Sequence, residues 1–506
     1  MVNPPPPHQS VQKPWFLWTA ILGACFLAAL ECWMILSPHW QARDIVPPGD
    51  DPVVHLGIIT NILAGKGWLI GLPYPPLFHW LVASLAFVTH TSALQAEWMI
   101  TTGIIAYIPL CVAGVFILRL SEHQSKTLLI GILSAATLFM LSRQPLRAWG
   151  DGNYPNMLAE GILIPLLLYS LTLLHGAWNR WVAGGVIILL GLVFTAHAMS
   201  ILIALATFGI GVLAIDLPIM RKLQLGGSAA LLTLFAWLKV VGPTVSIPAI
   251  RSILSGQSNI IPGLESSAAL VTPLRDFGTF FGEPFLSVSL LLLCLAIALY
   301  IVDKTSRYTL FILTTWLGAL FLVSRIGGLA VPDRFLRDIS YPLIALGAVS
   351  MTILARRQFL AALPVVLLLA FIGLRFATFV VNQPGAFAPH PDGIRPIEQR
   401  ADHATATALQ QLAPLIPSNA TIITNRTTSY APFLLNHKAV ALGVPSVGNQ
   451  SVPYYILLGP EPGGSLRSPA ESQLYQAITT YLKAIPGKVI VHTNMLSLIL
   501  VTQKQR

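Results

Sequence analysis

Two aspartates stand side by side in the segment GDDPVVHLG: Asp50 and Asp51 follow directly on PPG and precede His55 by one helical turn. A carboxylate placed against a hydroxyl takes its proton as a general base. Two carboxylates and an imidazole at this spacing also make a weak cradle for a divalent cation, magnesium or manganese, on Asp50, Asp51 and His55. The plainer readings stay open. Either aspartate is a good N-cap for a helix starting here, and His55 reads equally as an ordinary interfacial histidine. The pattern predicts a helix from Asp51 to Lys66, with Val54, Ile58, Ile62 and Leu63 on its apolar face, lying on a membrane surface. The segment YPPLFHW then adds Tyr74 and His79 to the residues that can line a cavity.

Three further segments carry polar side chains between apolar runs. In WGDGNYPN, Asp151 sits between glycines, close to Asn153; the stretch suits a ligand site at the mouth of a helix bundle and is also a good tight turn. In VPDRFLRDISYP, Arg334 and Arg337 fall one turn apart at the end of a span. Arginines so placed grip a phosphate bidentately or reach to lipid headgroups. His197, in TAHAMS, can face the same cavity or stand in a turn without a role. Glu31 and Lys239 lie inside apolar runs, where an ionisable residue is a functional hypothesis by default; Glu31, near the end of its run, can also simply reach water.

The elements that hold these residues are membrane helices. The chain has 506 residues, is 55% hydrophobic and only 10% charged, and has a mean hydropathy of +0.71. A soluble domain carries roughly 25% charged residues, and disorder needs low hydrophobicity. The composition therefore predicts a polytopic α-helical membrane protein. The four cysteines all lie in apolar runs, with no metal or disulfide spacing. The first apolar run lacks a clean cleavage site and reads as an uncleaved span.

Eleven spans are predicted: 16–37, 98–119, 127–142, 158–175, 181–196, 198–216, 226–243, 284–302, 308–324, 339–354 and 359–381. The segment 74–92 is ambiguous, and an extra crossing there would invert every later loop. The basic residues arbitrate. Short breaks hold Arg119, Lys126, Arg180, Arg221, Lys222, Lys304, Arg307, Arg356 and Arg357, and they share one side if 74–92 does not cross. The opposite loops are longer and hold most acids. Positive-inside places the short breaks and the N-terminus in the cytoplasm. The net charge of +10 is then a topology signal, and no nucleic-acid partner is expected.

Domain expectations follow: a membrane domain over 1–382 with its first outer loop at 38–97, and a small α/β domain over 383–506 on the extracytoplasmic face. The latter rests on strand-like runs at 421–425, 438–443 and 488–494, alternating with helical stretches at 398–412 and 469–484.

This layout resembles the GT-C superfamily of integral-membrane glycosyltransferases. The resemblance rests on the acidic first loop (GDDPVVH), the proline-opened interfacial helix (YPPLFHW), the second acidic loop two spans later (WGDGNYPN) and the terminal soluble domain. It covers most of 16–381. It implies a multi-pass plasma-membrane enzyme that takes a sugar from a polyprenyl-phosphate donor among membrane lipids. It also implies Asp50 or Asp51 as catalytic acid, Asp151 as a second site acid, and the lipid phosphate nearby; the spacing of Arg334 and Arg337 makes them its expected ligands. The Asp-Asp pair differs from the Asp-Glu pair of protein mannosyltransferases, and YPP stands where those have HPP. Two other classes share this sequence profile: a lipid or solute transporter (a flippase, for instance), and a non-catalytic assembly subunit with the same fold.

Overall fold

The structure is a computed structural model. It describes residues 14–42, 51–65, 75–142, 144–150, 152–197, 200–236, 273–325, 332–381, 386–390, 393–396, 411–417, 422–424, 440–442, 453–458, 469–484, 488–492 and 497–502, and the single residues 407, 409 and 420. Asp50, Tyr74 and Asp151 lie outside them, as do the side chains of Asp51 and Arg334.

Each predicted span is helical in its described residues apart from the end positions 142, 175, 215, 216 and 339. The helices are Pro14–Ala42, Ala93–Leu120, Ser125–Leu141, Tyr154–Leu174, Arg180–Ala196, Ser200–Ala214, Ile219–Ala236, Glu283–Val302, Arg307–Ser324, Ser340–Arg357 and Phe359–Val381. Among the described residues seven helical stretches are long and apolar enough to cross a membrane. Leu77–Thr89, Ser125–Leu141, Arg180–Ala196 and Ser200–Ala214 are shorter apolar helices.

Side-chain contacts sort the helix ends into two groups. At one end are the short turns: Phe16 meets His123 with ring centroids 5.2 Å apart, His175 stacks on Tyr308 at 4.2 Å, and Arg356 bridges Asp303 and Glu122. At the other, loop-rich end, His55 bonds to Gly152, Asn156 to Asp338, and Gln144 to the Phe280 carbonyl.

This pairing resolves the 74–92 ambiguity. Helix Leu77–Thr89 has 13 residues, about 20 Å at 1.5 Å per residue, against a hydrocarbon core of about 30 Å. Trp98 lies 5.7 Å from Trp149, so Ala93–Leu120 starts at the loop-rich end. Pro14–Ala42 reaches that end too, where it packs against helix Gln144–Gly150. The segment adds no pass. Ser92 opens the next helix with a capping box, accepting from the Gln95 N–H at 3.2 Å, which fixes where the interfacial helix stops.

Helix Ser340–Arg357 is the centre of the bundle. Ser340 to Ile353 are buried without a break, and its small residues let neighbours approach closely. A Cβ on Gly347 would meet Leu138 Cδ1 at 2.6 Å and Leu292 Cδ1 at 2.9 Å. Phe359–Val381 is peripheral and turns Leu360, Leu368 and Phe371 outward.

Two helices contain a π turn, Leu110–Gly114 and Ala159–Leu163, and the two turns pack together. Pro109 and Pro165 flank them; each lacks the N–H that the regular ladder needs. The second turn carries Glu160.

Beyond the last membrane helix, strands β1 (Ala386–His390) and β2 (Gly393–Pro396) form a hairpin that packs on helix Gln144–Gly150 at the loop-rich end. A five-stranded sheet follows, with β3 (Ile422–Thr424), β4 (Val440–Leu442), β5 (Tyr454–Leu458), β6 (Lys488–His492) and β7 (Ser497–Val501) in the order β4-β3-β5-β7-β6. β3 pairs parallel with β4 and β5, and β7 pairs antiparallel with β5 and β6. Helix Pro469–Ala484 covers it through Ile478 and Tyr481, whose hydroxyl meets that of Tyr454 at 2.6 Å. The predicted strands and the helix at 469–484 are present. Of the helix predicted at 398–412, residues 407, 409, 411 and 412 are helical, and the rest falls outside the described residues.

Candidate functional site

The first loop contributes helix Asp51–Leu63, shorter than the predicted run to Lys66. Its buried face is His55, Leu56, Ile58, Ile59 and Ile62, while Leu63 is exposed. The helix therefore packs through the histidine side. Of the predicted apolar stripe, Ile58 and Ile62 lie on this face and Leu63 is exposed, and the side chain of Val54 lies outside the described residues; His55 joins the face because it has polar partners inside the protein.

Two of those partners define its geometry. His55 Nε2 donates to the Gly152 carbonyl at 3.2 Å, since a carbonyl only accepts. His55 Nδ1 and His79 Nε2 share one hydrogen across 3.0 Å. Burial pushes the pKa of His79 down to about 4, against the opposing pull of the Pro75 backbone, so this ring is neutral at pH 7. Phe78 and Tyr154 form the wall, with ring centroids 5.3 Å and 6.0 Å from His55.

Gly152 is placed by its own turn. Its φ is +69°, its N–H bonds to Trp149 O at 2.9 Å, and the Asn153 N–H bonds to Ala148 O at 3.0 Å. This is a Schellman ending for helix Gln144–Gly150, and glycine takes the left-handed position without steric cost. Asn153 is buried in the same turn. The segment is thus both things its sequence allowed, a tight turn and a wall of the polar region.

A second network begins two residues further on. Asn156 Nδ2 donates to Asp338 Oδ2 at 2.8 Å, and Asn156 Oδ1 accepts from Ser200 Oγ at 3.2 Å. With its proton so used, Ser200 accepts from His197 Nδ1 at 3.0 Å. Arg337, 3% exposed, sets its Nε 3.4 Å from Asp338 Oδ1. Arg334 and Arg337 belong to the short helix Pro332–Asp338. Glu160 accepts from the Trp316 indole at 3.4 Å.

Of the residues singled out from sequence, the structure joins His55 to His79 directly. It also links His197 to Arg337 through Ser200, Asn156 and Asp338. Sequence reading missed the roles of Asn156, Ser200, Trp316 and Glu160. Glu160 had a signal: it is an acid at the mouth of a predicted span. Asn156 and Ser200 had none, because a buried amide or hydroxyl looks the same in sequence wherever its partner lies.

Of the residues expected to hold a divalent cation, His55 has both ring nitrogens on protein groups, and the carboxylates of Asp50 and Asp51 lie outside the described residues. No three His, Cys, Asp or Glu side chains converge as metal ligands among the described residues. No step below is routed through a metal.

No known family and no curated protein matches the chain by sequence. Solved structures do. ArnT from Cupriavidus metallidurans in the apo state superimposes with a TM-score of 0.59 at 12% identity, over 95% of this chain and 97% of that one. The same protein bound to undecaprenyl phosphate gives a TM-score of 0.60 at 12% identity, over 96% and 97%. The chain shares the fold of these ArnT structures. Among the described residues the segments that follow the two acidic motifs are tied by the hydrogen bond between His55 and the Gly152 carbonyl.

Proposed function

We propose that the protein is a membrane glycosyltransferase that takes a sugar from a polyprenyl-phosphate-linked donor. We place the reaction at the loop-rich end, facing the extracytoplasmic side of the plasma membrane. The observation that carries the reading is the His55–Gly152 bond. His55 lies four residues after Asp51, and Gly152 directly follows Asp151, so the bond brings the two acid-bearing loops to one place. The undecaprenyl phosphate bound to the ArnT neighbour supports the donor class. The basic short-turn end supports the orientation.

In the proposed step an acceptor hydroxyl oxygen bonds to the anomeric carbon of the donor sugar. The bond from that carbon to the phosphate oxygen breaks, and polyprenyl phosphate leaves with the electron pair. The acceptor's proton passes to Asp50 or Asp51, with Asp151 assisting. Arg334 and Arg337 are the proposed contacts for the departing phosphate. A lipid-linked donor stays in the bilayer while its sugar meets water at the helix ends, which suits a bundle whose loop-rich end joins His55, His79, His197 and Arg337 to polar partners.

The test is sugar transfer or release from a radiolabelled undecaprenyl-phosphate hexose by purified protein, with Asp50→Asn, Asp51→Asn and Asp151→Asn compared. Loss of a general base lowers turnover by roughly 100-fold or more. An N-cap aspartate replaced by asparagine keeps its acceptor oxygen, leaving stability and turnover nearly unchanged. Normal turnover in all three variants removes the loops from catalysis. Donor movement across vesicles without bond cleavage indicates a transporter instead.

A further inference from the structure

The short-turn end holds its cations in two different ways. Arg356 and Arg357 meet the Asp303 carboxylate, and Arg356 also meets Glu122. Arg180, Arg221 and Lys222 meet no carboxylate within 4 Å among the described residues.

These three cations share one patch. Helices Arg180–Ala196 and Ile219–Ala236 both start at this end and pack side by side, so close that a Cβ on Gly191 would meet Leu232 Cδ2 at 2.8 Å. The Arg221 guanidinium joins their starts, standing 4.9 Å from the Trp178 ring. Arg180 stands 5.2 Å from the Trp181 ring. Lys222 Nζ donates to the Leu213 carbonyl at 2.8 Å, and Arg221 Nη1 donates to Gln224 Oε1 at 2.9 Å. All these partners are neutral, so they fix where the cations stand and leave the charge unanswered. Asp216, exposed in the turn before Ile219, is the acid that the sequence places in these two turns, and it answers one of the three charges at most.

An occupant must be anionic and must also cover apolar neighbours. Trp181, Ile219, Met220 and Leu223 are exposed beside the cations, Trp181 by 77%. A soluble acidic partner answers the charge and leaves membrane-facing side chains uncovered. Tryptophan and arginine together at helix ends mark the headgroup level of a bilayer. A phospholipid with an anionic headgroup does both, offering phosphate oxygens to the guanidiniums and acyl chains to the apolar faces.

We infer that Arg180, Arg221 and Lys222, framed by Trp178 and Trp181, form a binding site for the headgroup of an anionic phospholipid, whose acyl chains lie along the outer faces of helices Arg180–Ala196 and Ile219–Ala236. The site stands at the opposite end of the bundle from the acidic loops, and it holds whether or not the protein transfers a sugar.

Native mass spectrometry of the purified full chain, carried in detergent with phosphatidylglycerol or with phosphatidylcholine, reads the retained lipid and its apparent affinity. One cation beside an anionic headgroup is worth about five-fold. Wild type should favour phosphatidylglycerol by roughly ten-fold or more. Arg180→Gln and Arg221→Gln should each cut that preference by about five-fold. The triple variant with Lys222→Gln should bring it close to one. Lys126, 5.7 Å over the Phe359 ring on another pair of helices, supplies the control. Lys126→Gln should leave the preference unchanged. Arg180 and Arg221 are exposed, so these variants keep the core, and thermal melting confirms that each is folded.

Equal retention of the two lipids by wild type overturns the site. So does a loss in Lys126→Gln as large as that in Arg221→Gln, which makes the preference a diffuse property of the basic end. Displacement of phosphatidylglycerol by excess inorganic phosphate assigns the cations to a free anion and overturns the lipid as occupant. A wild-type dimer that Arg221→Gln dissolves gives the face to a second copy of the chain and overturns it too.

Discussion

At the short-turn end of the bundle Asp303 is surrounded by donors, two of them arginines, whereas at the loop-rich end the hydrogen bond that Glu160 accepts among the described residues comes from a neutral group, the Trp316 indole at 3.4 Å. Asp303 takes the Thr305 hydroxyl at 2.8 Å, the Ser306 hydroxyl at 2.9 Å, Arg357 at 3.4 Å, and Arg356, which also reaches Glu122. Burial raises the pKa of Asp303, but the two hydroxyls and the two arginines outweigh it and hold the carboxyl below its ordinary value. Both ends bury acids on membrane helices or beside them. One end satisfies them within the protein and so fixes the turns. The other leaves acceptors and hydroxyls open, which a structural role alone would have selected against.

The largest expected effect breaks the closed end. Arg356→Ala leaves Asp303 buried without its main cation, and breaking such a pair costs about 3 kcal/mol. Thermal or denaturant unfolding should show that loss, while turnover per folded molecule stays at the wild-type level. A turnover loss out of proportion to unfolding would mean that the short-turn end takes part in the reaction.

Acid should separate the ends next. His79 is neutral when folded, with its pKa lowered from the ordinary 6.5 to about 4. The unfolded chain binds this proton first as pH falls, so the stability His79 contributes is complete above about pH 6.5. It is lost progressively down to about pH 4, roughly 3 kcal/mol in all. Asp303, with its lowered value, keeps its contribution until pH falls below the ordinary carboxylate range. Melting curves at pH 7, 5.5 and 4.5 should therefore decline, and His79→Phe should flatten the decline. An unchanged slope in that variant would assign the acid sensitivity elsewhere.

Asn156→Ala comes third. It removes the amide that joins Asp338 to Ser200, leaving a buried acceptor and a buried hydroxyl unmet, about 1–3 kcal/mol. Unlike Arg356→Ala it should also lower turnover, because Asp338 holds Arg337. Equal turnover in the two variants would weaken the link between this network and the site.

The bundle was legible in the sequence, the networks only partly. Apolar runs bounded by arginines locate helices by composition, so the eleven helices, seven of them long and apolar enough to cross a membrane, and the strand at 488–492 could be read directly. The strand Tyr454–Leu458 was not. It is short, apolar and buried, and such a run carries no alternation. His55 and His79 stood out as polar residues in apolar surroundings, yet their contact across 24 residues depends on how two interfacial helices pack. Glu160 faces Trp316 across 156 residues, a distance no local pattern spans.

The finest comparison uses two glycines in the same backbone state at opposite ends. Gly152 has φ +69° at the loop-rich end, and Gly176 has φ +81° at the short-turn end. Alanine in that conformation costs about 1–2 kcal/mol, and nothing lies within 4 Å of a Cβ on Gly176. Gly152→Ala and Gly176→Ala should therefore lower the melting temperature by similar, small amounts. Their effect on turnover should differ. The Gly152 carbonyl is the acceptor that holds His55, and a turn that relaxes to negative φ rotates this carbonyl away. The first loop then loses its tie to the second, and the acids they carry lose their common position. Gly176 closes a turn of the other end and carries no such tie. Turnover should fall in Gly152→Ala and hold in Gly176→Ala. If both retain it, the bond between His55 and Gly152 is structural trim, and the convergence of the acidic loops must be sought in other contacts.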